Sequence, residues 1–336
     1  MNAFEIKDKF GLDSLTLVQR PDPRPGPGQV LIQMRAWSLN YRDLMVAKGT
    51  YNPKLRLPQV PLSDGVGRVA EVGQGVTRVK TGDRVAASFM PKWLSGRVTE
   101  DKARSALGAG NEGLLAEYVV LPEEGVVHVP DHLTDEEAAT LPCAALTAWH
   151  ALVTEGHLQP GDTVLTQGTG GVSMFALQFA KLAGARIIAT SSSDDKLARA
   201  LKLGAADGIN YKSVPDWDKE ARKLTGDVGV DHIVEVGGAG TLGRSLRAVR
   251  LGGTISLIGV LAGGTSEVNP LPVLMKNVRV QGIFVGSREM FEDMNRAIEA
   301  NGIRPIIDRV FGFDEAVAAY RYQDAGSFIG KVVIRV

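Results

Sequence analysis

The apolar positions of this chain change their spacing twice along its length. Up to about residue 125 they form short runs, QVLIQMRAWSL, GVGRVAEVG, DRVAASF and AEYVVLP, broken by glycine and proline clusters such as PDPRPGPG. That punctuation predicts an irregular, mostly antiparallel β domain over 1–124. From 125 to 286, apolar runs alternate with segments of helical period. The runs TVLTQ, RIIAT, DGINY, VDHIVEV, TISLIGV and VRVQGIFV read as strands, and 171–182, 194–203, 216–224 and 241–249 read as helices. Such alternation predicts an α/β domain, and right-handed crossovers make six strands a doubly wound parallel sheet. The segment 287–336 holds the helix REMFEDMNRAIEANG, a short strand, the helix DEAVAAYRYQDAG and a last strand, GKVVIRV. It is expected to pack back on the first domain and complete it.

Within the second domain, Thr163 to Gly184 passes from a buried strand through a glycine cluster into a helix whose apolar face is Val172, Phe175, Ala176 and Phe179. Glycines at a strand-to-helix turn let the backbone approach a ligand that any Cβ would push away, and the helix N-terminus stabilises an anion there. Gly168, Thr169, Gly170, Gly171 and Val172 are therefore the expected seat of a dinucleotide pyrophosphate. In the GxGxxG pattern the third glycine is Ser173. That position serves helix-to-strand packing, so a slightly wider contact is expected, with the site retained.

About twenty residues further on, an NAD site places an acidic residue on the ribose hydroxyls. Here the second strand runs into Ala189, Thr190, Ser191, Ser192 and Ser193. Hydroxyls of Ser191 and Ser192 with the charge of Lys196 suit a 2′-phosphate, and Tyr211 at the end of the third strand would close that pocket. The expected cofactor is NADP(H). A plainer reading makes Ser193 the cap of the following helix, with Asp194 and Asp195 in its first turn and Lys196 solvated. Both readings can hold together.

At 336 residues the chain exceeds what one core usually supports, which agrees with two domains. Lysine plus arginine and aspartate plus glutamate number 38 each, and zero net charge argues against nucleic acid or an anionic membrane as the main partner. The single cysteine, Cys143, excludes an internal disulfide and suits a reducing compartment. No apolar run approaches membrane-spanning or signal-peptide length, so a cytoplasmic protein is expected.

The glycine turn, QVLIQMRAWSLNYRDLMVAKGTY, PLSDGVGRVAEVGQGVTRVKTGDRV, LPCAALTAWHAL and GKVVI, in this order and spacing, resemble the medium-chain dehydrogenase/reductase superfamily, in particular its zinc-free, quinone-oxidoreductase-like branch. The resemblance covers nearly the whole chain. It implies a GroES-like β domain plus a Rossmann domain with the active-site cleft between them. Zinc-dependent relatives carry ligands at positions that here hold Asn40, Ser63 and Cys143, a poor set for a catalytic zinc. The four-cysteine lobe is missing from 90–113, and Pro130 between His128 and His132 forbids the helix that would put both on one face. No metal is expected.

Without a Lewis acid, simple alcohol oxidation lacks a route to the alkoxide, whereas conjugated acceptors spread the incoming electrons onto a distant oxygen. The implied activity is hydride transfer from NADPH to a small electrophile, a quinone or another activated C=C or C=O. By the same resemblance Asn40 and Tyr41 line the reacting centre. Asn40 would position nicotinamide or substrate, and either Tyr41 or water supplies the proton. Asp43 reads as a helix cap. Thr147, Phe284, Val285 and Ser287 would flank the nicotinamide, Gly237 and Gly238 the adenosine side. Lys331 would reach the cofactor or else lie in solvent. The edge strand VRVQGIFV is expected to pair across a two-fold axis in a homodimer. Alternatives are an enoyl-thioester reductase, with Lys92, Arg97, Lys102 and Arg104 as its basic patch, an alcohol dehydrogenase of the same fold, and a NADPH-binding structural or regulatory protein with little turnover.

Overall fold

A computed structural model describes residues 1–265 and 267–336, and the chain divides into two compact units, Met1–Leu146 with Val285–Val336, and Thr147–Phe284. The first junction lies beyond the expected residue 124, because Val126–His128 pairs antiparallel with Arg84–Ala87 and so belongs to the β domain.

In the first unit, β1 (Asn2–Ile6) and β2 (Leu15–Gln19) form an antiparallel ribbon. The main sheet is built from β3 (Gln29–Ser38), β4 (Asp64–Val72), β5 (Arg84–Ala87), β6 (Tyr118–Pro122) and β7 (Val126–His128). All these neighbours pair antiparallel, with β4 and β6 both on β3. Val30, Ile32 and Met34 are buried at alternate positions of β3, the period that a one-sided strand requires. Helix α1 (Tyr41–Ala47) follows β3 directly.

The second unit alternates β8 (Thr163–Gln167), α2 (Gly171–Leu182), β9 (Arg186–Ser191), α3 (Asp194–Leu203), β10 (Asp207–Asn210), α4 (Trp217–Leu224), β11 (Val230–Glu235), α5 (Ala239–Ala248), β12 (Val249–Leu257) and β13 (Arg279–Gly282). The spatial order is β10-β9-β8-β11-β12-β13, every pair parallel. This is the doubly wound order, with its switch point between β8 and β11. Leu165, Ile188, Ile209, Ile233 and Ile255 stack through the core, one from each of the five strands β8 to β12. Two expected helices have the bounds read from the sequence. By contrast, VRVQGIFV forms a strand only over Arg279–Gly282, and at Val285 φ is +50°, incompatible with an extended strand.

The returning chain contributes α6 (Arg288–Asn301), β14 (Ile307–Gly312), α7 (Ala316–Ala325) and β15 (Lys331–Arg335) to the first unit. β15 pairs antiparallel with β3 through Val333 and Ser38, which brings Lys331 to the start of α1. No helix among the described residues is long and apolar enough to cross a membrane.

Candidate functional site

The second unit carries a turn of three residues between β8 and α2. Gly168 has φ +69°, a left-handed conformation that suits glycine. Gly170 has φ −74° and needs no such freedom, yet a Cβ at either position meets nothing within 4 Å. The fold itself therefore leaves open space above the turn, beside the unpaired first-turn amides of the 12-residue α2. Thr169 is buried, while Gly171 and Val172 keep partial exposure. Ser173 is accommodated by donating its hydroxyl to the Gln167 carbonyl at 2.6 Å.

At the end of β9, Ser191 is buried and its Oγ accepts from the Ser193 amide at 3.3 Å. Ser193 caps α3 by accepting from the Lys196 amide, so the plainer reading of that segment is present. Asp194 is turned to Asn210, whose Nδ2 donates to Oδ1 at 2.7 Å. Ser192 and Lys196 are half-buried, and Tyr211 is exposed and linked through its amide to the Ser191 carbonyl at 3.0 Å. Serine hydroxyls, a lysine and a tyrosine are thus gathered where β9 and β10 end, with no carboxylate among residues 189–193.

Gly237 and Gly238 follow β11 and are buried. Their amides donate to Glu235 Oε1 at 2.9 and 3.0 Å, so these two N–H groups are held inside the protein. Thr147 is buried in a short helix, Leu146–Trp149, between two π-helical turns, Leu141–Ala145 and His150–Thr154. Phe284 is exposed.

The first unit contains a buried polar cluster around the start of α1. The Asn40 amide N–H donates to Asp43 Oδ2 at 2.7 Å, which makes Asp43 a helix cap as read from the sequence. Burial raises the Asp43 carboxyl pKa against the pull of Arg42. Lys331 is only 3 % exposed, so a lysine lying in solvent is not what forms. Its Nζ donates to the Leu39 carbonyl at 2.7 Å and to Asn40 Oδ1 at 2.6 Å. An ammonium only donates, so it fixes the amide with Oδ1 toward Lys331 and Nδ2 on the other side. Nδ2 lies against Asp64 in a geometry that leaves it without a hydrogen bond.

Asp64 is fully buried and accepts from Ser63 Oγ at 2.9 Å and the Cys143 amide at 3.1 Å. Burial pushes its carboxyl up to about 6, with Lys331 and then Asn40 pulling the other way. Cys143 as a residue keeps some exposure, but its thiol is closely surrounded, and desolvation followed by the charge of Asp64 raises its pKa so that it stays protonated. Tyr41, the neighbour of Asn40, is 46 % exposed. Ser287 is fully buried and caps α6, accepting from the Met290 amide at 3.2 Å, and Val285 is buried beside it.

These residues do not suit a zinc ion. The Asn40 oxygen is taken by an ammonium and the Ser63 hydroxyl is spent on Asp64, and an amide and a hydroxyl are poor zinc donors in any case. Among the described residues no group of three or more His, Cys, Asp or Glu side chains is arranged to hold a metal.

Sequence reasoning missed Gln167, Glu235, Thr241 and Ser245, whose side chains interlock at the ends of β8 and β11. The available signal was an acid inside the apolar run VDHIVEV, a charge that burial forces to find partners.

A glycine turn at the switch point of a doubly wound sheet is the arrangement of dinucleotide-binding folds, and here one chain joins it to an antiparallel unit with a buried polar cluster. Family models for an alcohol dehydrogenase GroES-like domain and a zinc-binding dehydrogenase match residues 26–131 and 171–300. A zinc-type alcohol dehydrogenase-like protein of Schizosaccharomyces pombe is 46 % identical over 97 % of this chain and 96 % of its own. Human quinone oxidoreductase is 28 % identical over 93 % and 90 %. Among solved structures, a NAD-dependent alcohol dehydrogenase superposes with a TM-score of 0.91 at 36 % identity, covering 100 % of both chains. A mycobacterial protein complexed with NADPH gives 0.84 at 28 %, also covering 100 % of both. The chain belongs to the medium-chain dehydrogenase/reductase superfamily and is an oxidoreductase of that family, whose members use nicotinamide cofactors.

Proposed function

We propose that this protein is a zinc-independent, NADPH-dependent oxidoreductase that reduces a quinone or another activated C=C or C=O. The observation that carries the reading is the buried contact of Lys331 with Asn40, at a position where zinc-dependent relatives hold a ligand. When bound, NADPH supplies the hydride. The chain's own residues must then meet the negative charge that grows on the acceptor oxygen. We assign that task to Asn40, whose Nδ2 is a buried donor without a hydrogen bond beside Asp64 and whose Oδ1 is held by the Lys331 ammonium. The proton comes from the exposed Tyr41 hydroxyl or from water.

The choice of NADPH rests on the strand end at Ser191 and Ser192, where a carboxylate would repel a 2′-phosphate and hydroxyls accept one. Overall similarity does not decide it, since the NAD-dependent structure is nearer in sequence than the NADPH complex. The enoyl-thioester reading is weakened by the loop's basic residues: Lys92 pairs with Asp101, Arg104 with Glu100, and Lys102 donates to the Ser95 and Arg97 carbonyls. We further propose a homodimer formed along β13, an edge strand of the sheet on which Val280 is exposed.

The direct test follows absorbance at 340 nm with chelator-treated protein and a panel of quinones, enones, enoyl thioesters and alcohols. Consumption of NADPH with quinones or enones is expected. NADPH that binds but is never consumed would identify a binding protein, and turnover that returns only with zinc would overturn the metal-free mechanism.

A further inference from the structure

We infer that Glu235 is a positioning residue for the dinucleotide turn, acting through Gln167; this rests on the reading that the turn holds a nicotinamide dinucleotide. Glu235 ends β11 and Gln167 ends β8, the two strands that flank the switch point. Glu235 is fully buried, and its two oxygens take five donors. Oε1 accepts from the Gly237 and Gly238 amides at 2.9 and 3.0 Å and from Thr241 Oγ1 at 2.6 Å. Oε2 accepts from Gln167 Nε2 at 2.6 Å and from Ser245 Oγ.

Gln167 is the residue before Gly168, and it is held at both ends. Its side-chain oxygen accepts from the Gly237 amide at 3.2 Å, and its carbonyl accepts from Ser173 in α2. Glu235 therefore ties β8, β11 and α5 to one point directly beneath the glycine turn. An apolar pair would fill the same space with less desolvation cost. A carboxylate with every lone pair occupied instead fixes direction, which is what amides aimed at a pyrophosphate need.

The polarity of the network supplies the test. In Glu235→Gln the new amide N–H faces the Gln167 amide N–H, donor against donor. In the exchanged double variant Gln167→Glu with Glu235→Gln, the bond between the two side chains simply reverses, and the Ser245 hydroxyl turns to suit. Fluorescence titration should show Glu235→Gln weakening NADPH and NADH alike by about tenfold or more, with their ratio unchanged, and the exchanged pair recovering to within about threefold. Hydrogen exchange at the amides of residues 168–172, without nucleotide, should accelerate in Glu235→Gln and slow again in the exchanged pair.

Folded Glu235→Gln with wild-type affinity and wild-type exchange overturns the proposal. Should that variant not fold, Thr241→Val and Ser245→Ala, each removing a hydroxyl that donates to Glu235, take its place and must loosen the same amides. Wild-type protein that takes up neither nucleotide refutes the reading beneath, and the exchange rates still judge Glu235 separately.

Discussion

Lys331 and Asn40, 291 positions apart in the chain, are joined by a 2.6 Å hydrogen bond from Nζ to Oδ1. The antiparallel pairing of β15 with β3 makes that contact, and burial makes it consequential. Replacing Lys331 by Met leaves the Asn40 oxygen without its donor and Asp64 without its nearest positive charge. Turnover should fall about tenfold or more, and stability by roughly 1–3 kcal/mol. NADPH affinity should stay within about twofold, because the lysine acts through Asn40. Steady-state kinetics beside fluorescence titration separates the two, and a large loss of NADPH affinity would instead make Lys331 a direct cofactor ligand.

Asp64 gives the fold a pH dependence of definite sign. Its carboxyl is pushed up from 3.8 to about 6 by burial, so the folded state binds the proton more tightly than the unfolded chain. That contribution, on the order of 3 kcal/mol, is complete below about pH 4 and is lost as the pH rises through about 6. Urea midpoints of wild type and Asp64→Asn measured across this window should diverge, with wild type losing ground as pH rises. A constant difference would mean that Asp64 titrates normally.

Gly170→Ala separates folding from binding. Its φ is ordinary and an added Cβ meets nothing within 4 Å, so thermal stability should hardly change. The methyl group would stand in the space reserved for a pyrophosphate, and affinity for NADPH and NADH should drop about tenfold or more. Unchanged affinity would remove the turn from the cofactor site.

Ser191→Asp puts a carboxylate where a 2′-phosphate is expected. The ratio of kcat/KM for NADPH over NADH should shift toward NADH by about tenfold or more through lost donors and new repulsion. The ratio is the useful quantity here, because Ser191 is 2 % exposed and the charge will also cost stability. An unaltered ratio counts against the phosphate assignment.

The edge strand makes a separate prediction. Light scattering after size exclusion should give twice the mass of the 35.9 kDa chain, and Val280→Asp, on the exposed face of β13, should halve it. A wild-type monomer at micromolar concentration would remove the dimer.

Much of the second unit was legible in the chain. The bounds of α2 and α3 follow from apolar period and from turn residues, which are local properties. Other residues make contacts that local sequence does not show. The amides of Gly237 and Gly238 are held by Glu235. Ser287 follows a strand-like run, yet it caps a helix in the first unit.

The residues alone pointed to a doubly wound sheet and showed the glycine turn, the missing acid at the end of β9 and the amide and hydroxyl of Asn40 and Ser63, because each is read from residue type and near-neighbour spacing. Tertiary structure alone decided that Lys331 meets Asn40, that burial raises the Asp64 carboxyl pKa, and that Glu235 grips Gln167. Those are contacts between distant segments, set by sheet register and desolvation, and no local pattern of side chains encodes either.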